Sequence, residues 1–542
     1  TMKKSKILML ALASMSLFSS CMDDADQSTY LTEQRRQELL GDDATGVIDA
    51  AVTAMYNDMQ SYVKTDMSHN YFGQKSFDYL TSLMGNDMVM TGRFGMSLYH
   101  YLCDYWGQTF TATANRWSEY YKRIDDANKV IKAINAADPE GKSALMQKYR
   151  AEALGFRGQA YLQLSYLYQQ SYYVGCEDTE WGKGKHYDYS ESKCVPIITE
   201  KTEGDQPLST VKQVMKQVTD DLEACYKIYE NLGEIKTPAN TDFDGTVAAM
   251  YLARAYMIMH QWDKALVYAN AVCDNYPVLE KENDLLQGFS SLNLTDVVFG
   301  CDITADNAGV YMSWFSQMDA YGAGYAAIGV TRAAYGPFVD KIADDDVRLK
   351  WFCCDRSTGV DIKGKRYTLL RDVMAPAACE YQSVKFIGSG RDAVLANADA
   401  IAEGASAPGW ELGDYIYLRS EEAYFMKMEI LAHKNDLQGA KELLEQVMVT
   451  RQPSYEYNGT MTTQALIKEI NFQKRVEFWG EGIEFLDNRR LNIPLDRTSK
   501  DPKNNHLEGA RLKLDQESRN FRYQIPIKEI ENNKMLSEDD QN

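Results

Sequence analysis

The sequence has no C-x-x-C pair among its ten cysteines and only six histidines, none of them at metal-ligand spacing. A structural zinc site and a dithiol redox centre of the usual sequence form are therefore excluded. No cluster of Lys and Arg stands out against the net charge of −20, so nucleic acid, which needs a basic surface for its phosphates, is excluded as a partner. G-x-S-x-G, H-E-x-x-H, the P-loop and the dinucleotide fingerprint are all missing. A glycosidase would need only two carboxylates about 5–10 Å apart. The 78 Asp and Glu residues leave that open, but nothing in their spacing points to it. The chain reads as a non-enzyme without a cofactor. After residue 20 no apolar run reaches the roughly 20 residues that cross a bilayer.

What is present begins at the amino end. Lys3, Lys4 and Lys6 precede an apolar run from Ile7 to Phe18, and Ser19 and Ser20 lead into Cys21. That order of basic, apolar and small residues ahead of a cysteine is a lipoprotein signal. Residues 1–20 are expected to be removed and Cys21 to be lipidated, each buried CH₂ adding about 0.8 kcal/mol of membrane affinity. Asp23 and Asp24 follow at once. Residues 21–44 read as a lipidated tether and 45–542 as one domain. Without Cys21 the cysteines number nine, so most read as small buried apolar residues, with Cys176 and Cys194 the candidate loop-closing pair.

The body is mainly α-helical by its periodicity. Trp117, Tyr121, Ile124, Ala127 and Ile131 recur at three or four until Asp138-Pro139 stops the helix, and Ala153, Phe156, Ala160, Leu164 and Leu167 form the stripe of a second helix. Between 245 and 277, Leu252, Ala253, Tyr256, Ala265 and Pro277 fall on the 34-residue tetratricopeptide spacing. Helix pairs are expected near 117–168, 209–277 and 420–490, forming a repeat scaffold. Asn240, Asp242, Asp244 and Gly245 imitate the start of an EF-hand, but position twelve is Tyr251, so the segment is expected to cap a helix instead. Asp344-Asp345-Asp346 likewise reads as a helix entry. The stretches 64–112, 170–208, 278–415 and 491–542 carry no helical stripe and form a large irregular, loop-rich half, where a ligand site is expected.

Several separated segments resemble the SusD/RagB family of nutrient-binding lipoproteins of Bacteroidetes. Ala151-Glu152-Ala153-Leu154-Gly155-Phe156-Arg157-Gly158-Gln159-Ala160-Tyr161 is similar to a helix of that family, and Val195-Pro196-Ile197-Ile198 to the strand after it, here separated by a long aromatic insert, 170–193. Arg475, Glu477, Phe478, Glu481, Gly482, Phe485, Asp487 and Arg490 resemble its signature helix and turn, with Gln473 and Lys474 in place of the usual Glu-Arg. Residues 523–533 resemble its closing segment. The resemblance implies a SusD-like fold, an outer-membrane, cell-surface location, and a partnership with a SusC-like TonB-dependent transporter. It implies capture of oligosaccharides, or in some branches peptides. The charged residues of 475–490 are expected to form structural ion pairs and turn caps.

A sugar presents a C–H face and a hydroxyl rim, so its site needs exposed flat aromatics beside polar side chains. Three stretches offer both. Tyr99–Gln108 holds Tyr101, Tyr105 and Trp106; the insert holds Trp181 among other aromatics; Tyr311–Tyr325 holds Tyr311, Trp314 and Tyr321 beside Gln317 and Asp319. Trp106 and Trp314 stand in polar, Gly-containing segments without a helical stripe and are the foremost candidates. Trp117 and Trp262 are assigned to the core.

Overall fold

The computed structural model describes residues 44–61, 68–92, 97–104, 106–172, 177–185, 187–328, 330, 332–353 and 379–541. Chain packing divides the protein into Thr1–Val47 and Ile48–Asn542. Of the first unit only the opening turn of a helix is described; the other described residues belong to the second. Cys21 and Tyr105 lie outside the described residues.

The long helices are α1 (Ala44–Asp58), α2 (Gln74–Leu83), α3 (Thr111–Ala137), α4 (Ala144–Tyr168), α5 (Val211–Leu232), α6 (Gly245–Ile258), α7 (Trp262–Cys273), α8 (Glu421–His433), α9 (Leu437–Met448), α10 (Thr463–Glu477) and α11 (Ile483–Leu491). Consecutive helices pack as pairs, α3 on α4, α4 on α5, α6 on α7 and α8 on α9, and α7 also packs on α8. The protein is mainly α, as its periodicity indicates. At the foot of α3 the Asp138 carboxylate accepts from the backbone N–H groups of Lys142 and Ser143, and Ser143 then caps α4. Thr210 and Gln213 form a capping box on α5. Asp244 caps α6, its Oδ1 accepting from the N–H groups of Thr246 (2.8 Å) and Val247 (3.1 Å), so the segment that imitates an EF-hand is a helix cap. Asp346 caps the short helix Val347–Trp351 in the same way.

Small residues set the helix spacing. Ala253 and Ala265 are fully buried, and a Cβ on Gly155 would stand 2.4 Å from the Phe243 ring. Gly155→Ala should therefore lower the unfolding free energy in urea by about 1–3 kcal/mol, the cost of overpacking a close-packed core. Trp117 is buried; Trp262, half-buried, lies flat on His433 at 4.0 Å between ring centres. Cys194 is a buried thiol; its expected partner, Cys176, lies outside the described residues.

Short strands pin the irregular half to the helices. β1 (Met88–Met90), β3 (Arg332–Ala334), β5 (Gln382–Ser383) and β4 (Phe352–Cys353) form an antiparallel sheet in that order, while β2 (Val297–Cys301) pairs with β6 (Tyr415–Arg419) and β7 (Leu495–Asp496) with β8 (Lys513–Leu514). The stretch 64–112 is not wholly irregular, because it contains α2, a helix buried on every side. Its polar groups are matched by neighbours: Gln74 bonds Asp78 and Gln159, Ser76 accepts from Arg116, and Lys75 donates to the Ile416 carbonyl.

The signature helix and turn carry a buried ion network. Glu477 meets Arg419, Arg451 and Arg348; Glu481 meets Arg419 and Lys385; Asp487 meets Lys474 and Arg490. Although burial works against it, the guanidinium of Arg419 and the ammonium of Lys385 hold the Glu481 carboxyl down at about 2. Gly482, at φ +80°, makes the turn where a Cβ would collide with Asp78. Lys474, in place of the family's usual residue, pairs with Asp487 at 2.9 Å, and Gln473 accepts from Arg348.

Candidate functional site

The stretch 302–330 builds a surface patch on a buried footing. Asn307 closes a turn by accepting from the Thr304 N–H and donating to the Asp302 carbonyl. Ser313 then caps the short helix Trp314–Met318, accepting from the Ser316 N–H. Between turn and helix the chain lifts Tyr311 outward, 49% exposed, beside Val310 at 41%. Tyr325 returns to the surface half-buried, with Ile328 exposed in the following turn.

His69 joins this patch from the other side of the chain. Its Nδ1 is 2.8 Å from the Tyr325 hydroxyl and the two rings meet edge to face at 5.7 Å. The His69 carbonyl accepts from Gln317, whose own Oε1 accepts from the buried Arg332, so the imidazole is anchored to the core. Burial pushes the Tyr325 phenol above its ordinary value and the nearby Tyr311 phenol pushes it further. The patch offers two aromatic rings, a half-buried imidazole and apolar edges: surfaces for C–H faces and polar atoms for hydroxyls. Among the described residues, no three His, Cys, Asp or Glu side chains converge as metal ligands.

The other candidate aromatics lie elsewhere, and most face inward. Trp314 is 1% exposed, packed under the Lys75 ammonium at 3.9 Å and against Phe386. Tyr321 belongs to a small second core with Val384, Ile387 and Ile401. The polar companions Gln317 and Asp319 are buried too, and burial pushes the Asp319 carboxyl up to about 7. Trp106 is fully buried: its indole N–H donates to the Asn520 carbonyl and its ring lies between His100 and Tyr523. Tyr101 is fully buried as well, its hydroxyl 2.7 Å from His506 and its ring under Arg497. These four rings, expected at a binding surface, are core residues: the chain from 497 to 525 closes over Tyr101 and Trp106, while Phe386 packs on Trp314 and Val384, Ile387 and Ile401 on Tyr321. Trp181 is half-buried on the insert, which docks on helices α8 and α10 through Asp178–His433 and Glu180–Lys468. The three aromatic stretches thus do not converge on one site. Of the candidates, Tyr311 stands on the patch; His69 and Tyr325 are the additions. No local pattern marks His69, whereas Tyr325 follows Gly322 and Gly324 in an aromatic, glycine-rich turn.

Residues 26–257 match a family model, SusD-like, described as "Starch-binding associating with outer membrane". Residues 26–257 are similar to that family, and the fold is SusD-like. Solved structures agree with the fold: a SusD-like carbohydrate binding protein from Bacteroides vulgatus is 22% identical at a TM-score of 0.70, over 92% of this chain and 98% of that one. A laminarin binding SusD-like protein superimposes at 0.62 with 16% identity, over 92% and 98% of the two chains. Surface glycan-binding protein A from Bacteroides uniformis does so at 0.63 with 15% identity, over 92% and 99%. No curated protein matches the chain. The segments that resemble the family serve the fold: Arg157 of the α4 motif grips Asp221 with two hydrogen bonds and Glu200 with a third, and Tyr523 of the closing segment packs on Trp106.

Proposed function

We propose that this protein captures oligosaccharide at the bacterial surface, through a platform made by Tyr311, Tyr325 and His69, and passes it to a SusC-like TonB-dependent outer-membrane transporter. Lipidated Cys21 is the anchor. The observation that carries the reading is the exposed Tyr311 ring beside the fixed Tyr325–His69 pair on the loop-rich half. A pyranose ring stacks its C–H face on Tyr311 while its hydroxyls meet the imidazole and the phenols. The carbohydrate-binding names of the solved relatives support the same ligand class.

Calorimetric titration of residues 22–542 with a panel of polysaccharides and host glycans, and with a peptide digest for contrast, tests it. One glycan class should give heat and release no product. Tyr311→Ala should weaken that binding by about 1–3 kcal/mol, tenfold or more in Kd, with little change in Tm. Binding of peptide alone would place the protein in a peptide-importing branch, and product release would make it a hydrolase.

A further inference from the structure

The aromatic insert is attached to the scaffold at points that have no part in the platform. Its turn at 177–184 is braced internally, with the Gly182 N–H donating to Thr179 and the Lys185 N–H to the Gly182 carbonyl. Outward, Glu180 pairs with Lys468 of α10 at 2.7 Å, and Asp178 meets His433 at the end of α8 with Oδ2 2.5 Å from Nδ1. His433 is 2% exposed at its side chain, and its other nitrogen, Nε2, lies 3.4 Å from Glu429.

We propose that this turn is a strap latched to the helices by a proton-dependent clasp, in which His433 bridges Asp178 of the strap and Glu429 of α8. Both imidazole nitrogens face a carboxylate. The imidazolium presents an N–H on each side; the neutral ring has only one, so deprotonation turns a lone pair towards one of the two carboxylates. The surroundings reinforce the charged form. The Trp262 ring lies parallel to the imidazole within 8° at 4.0 Å, a face that attracts a cation. Glu429 is fixed by the two terminal guanidinium nitrogens of Arg490 on α11. The opposing group is His260 of the α6–α7 turn, whose ring centre is 6.3 Å away. The adjacent Lys434 is paired with Asp263. Burial disfavours the proton on His433, but Asp178 and Glu429 outweigh it and raise the imidazole above its ordinary 6.5. The sign follows: the clasp holds fully below pH 6.5 and is lost as pH rises through the higher value of the folded state. The Glu180–Lys468 pair is exposed and contributes a second, weaker attachment.

Hydrogen exchange of peptides spanning 177–185, corrected for intrinsic rates and measured on the full chain from pH 5.5 to 9, tests the clasp. Protection should fall about tenfold or more as pH rises through the His433 titration, while α4 stays protected. Asp178→Asn and His433→Gln should abolish the step. Asp178→Asn changes the half-exposed side of the clasp and serves if His433→Gln fails to fold. Lys468→Met should lower protection at every pH and keep the midpoint. Equal protection at pH 5.5 and 8.5 in the unmodified chain, or a step that survives in Asp178→Asn, overturns the proposal.

Discussion

Replacing Trp314 or Trp106 by alanine is expected to lower the unfolding free energy by about 3–5 kcal/mol, the cost of a large cavity in a close-packed core. Trp314 supports the patch from beneath: its ring carries the Lys75 ammonium at 3.9 Å and meets the Phe386 ring edge-on, and its backbone N–H donates to the Tyr415 hydroxyl. Removing the ring leaves Lys75 buried without that face, a cation–π loss added to the cavity. Trp106 contributes both area and a hydrogen bond, and its loss strands the Asn520 carbonyl as well as opening the space between His100 and Tyr523. Tyr311→Ala, at a half-exposed position, should change stability by no more than about 0.5 kcal/mol. Urea unfolding of the three variants separates the roles. Wild-type stability in either tryptophan variant, with ligand binding lost, would return that ring to the surface.

How far this was legible in the sequence depended on whether a signal was local. The stripes of α3 and α4 and the Ala253–Ala265 spacing are helical patterns sustained over long segments, and periodicity finds those even where, as in the second half of α4 and in α6, every side is buried. Helix α2 is only ten residues long and satisfies its buried Gln74, Lys75 and Ser76 through partners tens to hundreds of residues away, so its short Phe77–Leu80–Leu83 stripe stands among polar residues and is easily missed. The aromatic stretches misled for a related reason. Tyr, Trp, Gly and polar residues together describe an exposed platform equally well as a loop covered by another loop. For Tyr101 and Trp106 the cover is His506, Asn520 and Tyr523, some four hundred residues distant. Within 302–330 the same composition holds both outcomes, Tyr311 outside and Trp314 inside three residues later. Only the turn at Asn307 and the cap at Ser313 decide between them. The charged signature forms structural ion pairs, as expected, but its partners were not legible: Glu477 and Glu481 reach Arg348, Lys385, Arg419 and Arg451 from distant segments, and only Asp487–Arg490 lies at helical spacing.

Glu477→Ala should be the most damaging single change in that signature. The carboxylate, fully buried, lies 3.2 Å from Arg419 and from Arg451 and 3.5 Å from Arg348, and its removal leaves three buried guanidinium groups short of a counter-charge. Breaking a buried pair from one side costs about 3–5 kcal/mol, because the stranded charges keep their desolvation penalty. The same geometry fixes the response to acid. Burial alone would raise the Glu477 carboxyl, but Arg451, Arg419 and Arg348 hold it well below its ordinary 4.5. Its stabilising contribution is therefore complete above pH 4.5 and is lost as pH falls towards the folded-state value. Asp296, in the same network, behaves oppositely: burial and the neighbouring Glu421 push its carboxyl well up, Arg419 notwithstanding, so its ionisation opposes folding as pH rises. Asp296→Asn should accordingly leave stability at pH 8 unchanged or higher, whereas Glu477→Gln should lower it and flatten the acid limb. Chemical denaturation of both variants between pH 3.5 and 8 reads these slopes directly. If Glu477→Gln keeps the acid limb of the unmodified protein, the loss of stability in acid belongs to other carboxylates.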